Sequence, residues 1–265
     1  MSTIKTNNHQ VGQSATANQN FTLYQPATPD GTVRLGVGNA GATTSDVITA
    51  TNAGNVTIAG SLTAGSIVGG LPGLRSQVFT SNGTFTIPTG VTAIKMTIVG
   101  GGGNGGTGFN GSYGAGSGGG GGGTAIKYLT GLTPGNTLTV TVGAAAGTSS
   151  VASGTQSITT VSATGGASGA ISNGLIVAGG AGGLGSNGDI NIGGNPGGSV
   201  WPVSCSVSPS LSMGGGSTLG GGGQPITGAS NVAGNPGRGP GGGASGSFQT
   251  SSVASGAAGV VLIEY

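Results

Sequence analysis

Glycine recurs in this chain on a three-residue beat, and that placement limits the backbone more than any other feature of the sequence. One run carries it at Gly102, Gly105, Gly108, Gly111, Gly114, Gly120 and Gly123, with Ser117 on the missed beat. A second carries Gly179, Gly182, Gly185, Gly188, Gly194 and Gly197, with Asn191 at the skip. A third carries Gly228, Gly234, Gly237, Gly243 and Gly246, with Asn231 and Pro240 in the gaps. A period of three belongs to polyproline II, which rises ~3.1 Å per residue and makes no internal hydrogen bonds. Extended segments that turn a glycine stripe inward can approach closely enough for their backbones to bond to one another. The pattern predicts a rigid display scaffold with few reactive groups.

Charge narrows the functional classes. Lys5, Arg34, Arg75, Lys95, Lys127 and Arg238 stand against Asp30, Asp46, Asp189 and Glu264, a formal net charge of +2 spread along 265 residues. No basic cluster is present to hold phosphates, so nucleic acid is not an expected partner. Glycine-rich, weakly charged chains are often disordered, but several β-branched runs predict order here. Cys205 is the single cysteine, which leaves no internal disulfide or cysteine-based zinc site and reads as a small apolar residue. Met1–Asn20 is polar and lacks the apolar core of a secretion signal. The richest apolar stretch, Gly174–Gly185, is broken by glycines, so no membrane insertion is expected. Synthesis in a cytoplasm follows as the expectation.

Three compositional regions suggest two domains. Residues 1–75 are rich in Thr, Asn and Ala, with short alternating stretches at Phe21–Tyr24, Thr32–Val37, Asp46–Ala50, Asn55–Ile58 and Ser61–Ile67. Turn signals such as Pro29-Asp30-Gly31 and Asn52-Ala53-Gly54 separate them. Strands this short bury little alone, so an extended, oligomeric β stalk is expected, without a heptad pattern to suggest a coiled coil. Residues 76–265 form the second domain, a short all-β sandwich head. Its β framework covers 76–99, 124–178 and 259–265, and glycine-rich polyproline II segments fill 100–123 and 179–258. Strands are predicted at Ser76–Thr80, Gly83–Ile87, Ala93–Val99, Thr124–Leu129, Thr137–Val142, Ser157–Ser162, Gly174–Ala178 and Gly259–Tyr265. Ile94, Met96 and Ile98 alternate inward, Phe79 and Phe85 read as core, and Asn82-Gly83 reads as a hairpin turn. The last strand is expected to complete the same sheet system.

These residues carry a family resemblance. Ser81-Asn82-Gly83-Thr84-Phe85-Thr86-Ile87-Pro88, followed by Val91–Val99 and Gly100–Gly103, resembles the opening of the glycine-rich domain of bacteriophage tail fibres. Gly256-Ala257-Ala258-Gly259-Val260-Val261-Leu262-Ile263-Glu264-Tyr265 resembles that domain's closing strand. The stretch Asn52–Leu62 is similar to segments that precede such domains in tail proteins. The resemblance implies a virion protein at the tail tip, a homo-oligomer with a trimer first. It would attach through its N-terminal region to a tail or baseplate protein and bind a bacterial surface receptor, a polysaccharide or an outer-membrane protein. It carries no catalytic residues across.

The residues themselves offer little chemistry. Glycoside hydrolysis generally needs two carboxylates ~5–10 Å apart, and residues 76–265 hold only Asp189 and Glu264. A serine triad would have to recruit His9, the sole histidine, and no Asp/Glu/His cluster has the supply for a metal site. Gly103-Asn104-Gly105-Gly106-Thr107-Gly108 fits a Gly-x-Gly-x-x-Gly pattern, but the lysine of a phosphate loop is missing. No catalytic site, metal or cofactor is expected.

Receptor contact falls instead to side chains set among the glycines. Phe109 and Tyr113 lie in the first run, Trp201 just past the second and Phe248 past the third. Covering exposed ends of the glycine array is the plain alternative for these aromatics. Residues 199–213 form a long glycine-free stretch bearing Trp201 and Met213, and Arg238 is a further candidate for an anionic lipopolysaccharide. Two other readings share much of the pattern: a purely structural tail or fibre-adaptor component, and a free glycine-rich polyproline II protein such as an ice-binding one.

Overall fold

The computed structural model of the chain describes residues 8–60, 75–108, 114–172, 176–201, 212–226 and 231–265. The described residues are all-β, with antiparallel sheets and one short 3-10 turn at Ala17–Gln19. They fall into two compact units, 1–70 and 71–265, close to the compositional boundary.

The first unit is a five-stranded antiparallel meander in sequence order. Its strands are β1 (Asn8–Val11), β2 (Phe21–Tyr24), β3 (Thr32–Asn39), β4 (Ala42–Thr51) and β5 (Val56–Ile58). The predicted stretches Thr32–Val37 and Asp46–Ala50 sit inside the longer β3 and β4, whereas Ser61–Ile67 lies outside the described residues. Gly41 makes the β3–β4 reversal with φ of +81°, a conformation that side chains rarely adopt. One sheet face is polar: the Tyr24 hydroxyl donates to Asp46 at 2.6 Å, and Arg34 pairs with Asp46 at 3.0 Å and with Asp30. Buried Asn20 holds the chain around Ser14 through its amide, and buried Thr22 donates to the Gly38 carbonyl at 2.9 Å. No apolar side chain among residues 8–60 is buried.

The second unit has a true core. Its strands are β6 (Ser76–Phe79), β7 (Gly83–Thr86), β8 (Ala93–Val99), β9 (Ala115–Gly116), β10 (Thr124–Thr130), β11 (Thr137–Thr141), β12 (Ser149–Ser153), β13 (Val161–Ala163), β14 (Ile171–Ser172), β15 (Gly185–Ser186), β16 (Ile190–Ile192) and β17 (Val260–Glu264). Two five-stranded sheets, β16-β10-β8-β17-β6 and β15-β13-β12-β11-β7, share one cluster of buried side chains. Phe85, Met96, Ile98, Leu138, Val261 and Ile263 are among its fully enclosed members, and Ile94 and Phe79 join them. The alternation at Ile94, Met96 and Ile98 therefore points inward, and the closing strand β17 pairs with both β8 and β6.

Three local expectations are corrected. Asn82-Gly83 does not close a hairpin, because β6 pairs with β17 in one sheet and β7 with β11 in the other. The turn is instead a crossover between sheets, pinned by the Asn82 carboxamide oxygen accepting the Val142 N–H at 2.8 Å. The strand placed at Ser157–Ser162 is β13, beginning at Val161, and its partner β12 was hidden by serines around a lone buried Val151. Of Gly174–Ala178, the described part contributes only an isolated bridge from Val177 to Val200.

The glycine runs join the sheets as a bonded array. Segments 100–106 and 117–123 run antiparallel, with N–H groups of Gly100, Gly103 and Gly106 donating to carbonyls of Gly123, Gly120 and Ser117. The first run is thus two segments rather than one continuous stripe. From 116 to 123, successive N–H groups rotate among three neighbours. Gly116, Gly119 and Gly122 reach 247, 244 and 241; Ser117, Gly120 and Gly123 reach 170, 167 and 164; Gly118 and Gly121 reach 198 and 195. Three further segments close the remaining sides: a Cβ at Gly119 or Gly122 would strike the backbone at 103 or 100, at Gly120 or Gly123 that at 181 or 184, and at Gly118 or Gly121 that at 213 or 216. Every side of this central segment faces another backbone, which explains why 118–123 are glycine without exception. At the periphery only part of each turn must be bare: Gly180 and Gly183 are buried while Ala181 and Leu184 face out.

Candidate functional site

The array has two ends. Gly100 and Gly123 continue into β8 and β10, so the bonds from 100–106 to 117–123 carry Gly108 and Gly114 to the end away from the sheets. Here a second, small core forms from Ala115, Val200 and Phe248, with Val177 and Ile226 packed against it. Each member lies at the root of a connection: Ala115 after 109–113, Val177 after 173–175, Val200 before 202–211, Ile226 before 227–230, and Phe248 before 249–253. Five connections therefore spring from one apolar plug at the distal tip.

Backbone bonds fix the plug. Val177 and Val200 exchange N–H···O bonds at 3.1 and 2.9 Å, and Phe248 and Val232 do so at 2.8 and 2.9 Å. The Gln249 N–H donates to the Gly114 carbonyl at 2.8 Å. Buried Ser247 ties two elements together, its Oγ accepting the Gly108 N–H at 3.1 Å and donating to the Gly106 carbonyl at 3.1 Å.

The structure sorts the sequence candidates by position. Trp201 follows the fully buried Val200 and is 59% exposed. Met213, whose carbonyl accepts the Gly198 N–H at 2.7 Å, is half exposed at the far root of the same loop. Phe248 is only 8% exposed and belongs to the plug, so its ring supports the tip and offers little surface to a ligand. Arg238 lies at the other end: its N–H bonds to Gly221 at 2.8 Å, and nearby Gly241 bonds to Ala258, just before β17. Arg238 is thus separated from Trp201 and Phe248. Phe109, Tyr113 and residues 202–211, Cys205 among them, lie outside the described residues. The plug residues Ala115, Val177, Val200 and Ile226 were missed, although each borders a glycine-poor break. Exposed Ile176, 58% open beside Val177, is a further apolar side chain that sequence reasoning passed over.

No charged residue occurs in 104–118, 170–178, 198–213, 224–232 or 247–254. Charges of the second unit sit on the sheets and their margin. Asp189 is held below the usual carboxylate range, first by its hydrogen bond from Lys127 and then by the Tyr128 N–H. Glu264 pairs with Lys95 at 2.8 Å, and that contact raises the Lys95 amine. Among the described residues no group of three or more His, Cys, Asp or Glu side chains is placed to hold a metal ion.

The glycine-rich domain family matches residues 77–265, and the chain belongs to that family. No match is found among curated proteins.

Proposed function

We propose that this chain is a receptor-binding protein of a bacteriophage tail, in which the distal tip contacts a host surface structure without catalysing a reaction. One observation carries the reading: five connections begin or end at the residues of a single plug at the end of a backbone-bonded array, with exposed Trp201 beside it. A scaffold of this kind fixes loop roots while leaving loop side chains free to vary, which is how binding sites are commonly mounted. Exposed Trp201 is the leading contact, since aromatic anchors contribute disproportionately to binding; Met213, Phe109 and Tyr113 are proposed for the same role. The uncharged tip favours sugar rings and hydroxyls, or the apolar part of an outer-membrane loop, over anionic phosphate.

The same proposal includes the arrangement of the chain. The glycine segments are polyproline II helices, supported by the three-residue rotation of bonding partners around 116–123. Residues 1–75 form an oligomeric stalk that joins the virion, with the protein residing at the tail tip. The direct test is adsorption of labelled full-length protein to host cells, wild type against Trp201→Ala. Loss of adsorption with an unchanged melting temperature is expected, because the side chain is mostly in solvent. Wild-type adsorption by the folded variant would remove Trp201 from the contact.

A further inference from the structure

The first unit carries an apolar sheet face whose side chains are largely exposed among the described residues. Cross-strand partners share a face, so the register places His9, Leu23, Leu35, Ile48 and Ile58 in one row across all five strands. A flanking row holds Val33, Ala50 and Val56, and another holds Val11, Phe21 and Val37. The charged residues Arg34 and Asp46 belong to the opposite face. Val11 is 60% exposed, Leu23 48% and Val56 62%, and Phe21, Val33, Ile48 and Ile58 are also open. Together these seven side chains leave roughly 500–600 Å² of surface uncovered, at the upper end of the largest patch an ordinary monomer shows.

We propose that this face is covered by the same face of another copy of this chain, sheet packed on sheet. The inference deepens the oligomer part of the proposed function and rests on it. Three observations select a copy over a different partner. Two such faces pressed together remove about 1,100 Å², above the ~1,000 Å² at which a specific interface begins. Apart from His9 at one edge, the face holds no ionisable group, so a self-complementary contact brings no run of like charges together. The unit also has no apolar core of its own among residues 8–60, so its cover has to be present whenever the chain folds, as a second copy is. Packed sheets lie about 10 Å apart, close enough for side chains from the two faces to interdigitate.

The test is the mass of the full-length protein by sedimentation between 1 and 50 µM (roughly the range over which a stable oligomer persists). A dimer of the 24.4 kDa chain, or a larger assembly built of such pairs, is expected. The double variant Leu23→Glu, Leu35→Glu should fall to one chain, while Thr57→Glu on the polar face should keep the wild-type mass. A wild-type protein that sediments as a single chain at 50 µM overturns the inference whether or not the charged variant folds. An oligomer untouched by both glutamates, with the first unit still folded, overturns it as well. Adsorption separates this from the receptor proposal: a single-chain protein that still binds cells sinks only the interface, and an oligomer that binds nothing sinks only the tip.

Discussion

Replacing Gly121 by alanine tests the packing of the glycine array at its centre. A Cβ built there lies 2.1 Å from the Gly216 carbonyl oxygen and 2.4 Å from its carbon, so backbone must move. Gly121 donates to Asn195 and accepts from Gly183, and separation of either segment strains those bonds. Overpacking a tight interior costs about 1–3 kcal/mol, and leaving one buried backbone group unpaired adds about 1–3 kcal/mol. A loss of about 2–6 kcal/mol is therefore expected. For a domain of this size that is a fall in Tm of roughly 4–24 °C. Gly221→Ala is the matched control, because a Cβ there meets nothing within 4 Å and its φ is not positive. That variant should lie within about 1 kcal/mol of wild type, on the stabilising side if the unfolded chain loses freedom. Urea unfolding and calorimetry on full-length protein give both numbers. Equal stabilities for the two variants would refute backbone-on-backbone packing as the reason for the glycines.

Phe248→Ala should destabilise the tip by about 3 kcal/mol, since it removes the largest side chain of a buried plug; hydrogen exchange at Val232 and Gly114 would report it, and unchanged protection would place the ring outside the plug. Asp189 should make the head acid-sensitive in a defined direction. Its carboxyl is depressed below 3.8 in the folded state, so the stabilisation is in place above that value and is lost as pH falls through the lower folded value. Asp189→Asn should therefore show a smaller fall in Tm between pH 7 and pH 3 than wild type, and an identical fall would mean that the Lys127 contact does not matter.

The two levels of order in this chain were unequally legible. Strand β8 was readable to its ends because Ile94, Met96 and Ile98 alternate and a glycine run follows at once. Strands β2 to β5 were readable in outline from the Asn, Asp and Gly turns between them, but β1 and their pairing into one meander were not. β12 was not, because one buried valine among serines leaves no periodic signal. Pairing was harder still: Asn82-Gly83 has hairpin chemistry, yet tertiary pairing sent its flanking strands to different sheets. The glycine beat foretold close backbone approach, but not that 118–123 would be enclosed on every side. That enclosure depends on segments as distant as 164–170 and 241–247, which no local window contains. At the tip, the aromatics were visible by their scarcity. Burial of Phe248 and displacement of Arg238 followed from where each segment reverses, which composition does not encode.

The measurement that bears most directly on the tip as a receptor site is binding of labelled full-length protein to intact cells across a bacterial panel. Saturable binding to some strains and not others is expected. Replacing residues 202–211 by a Gly/Ser linker should abolish it, and raising salt should change it little, because the tip carries no charge. Uniform failure to bind by folded protein, or binding indifferent to the loop replacement, would contradict the proposal and favour a structural place in the virion.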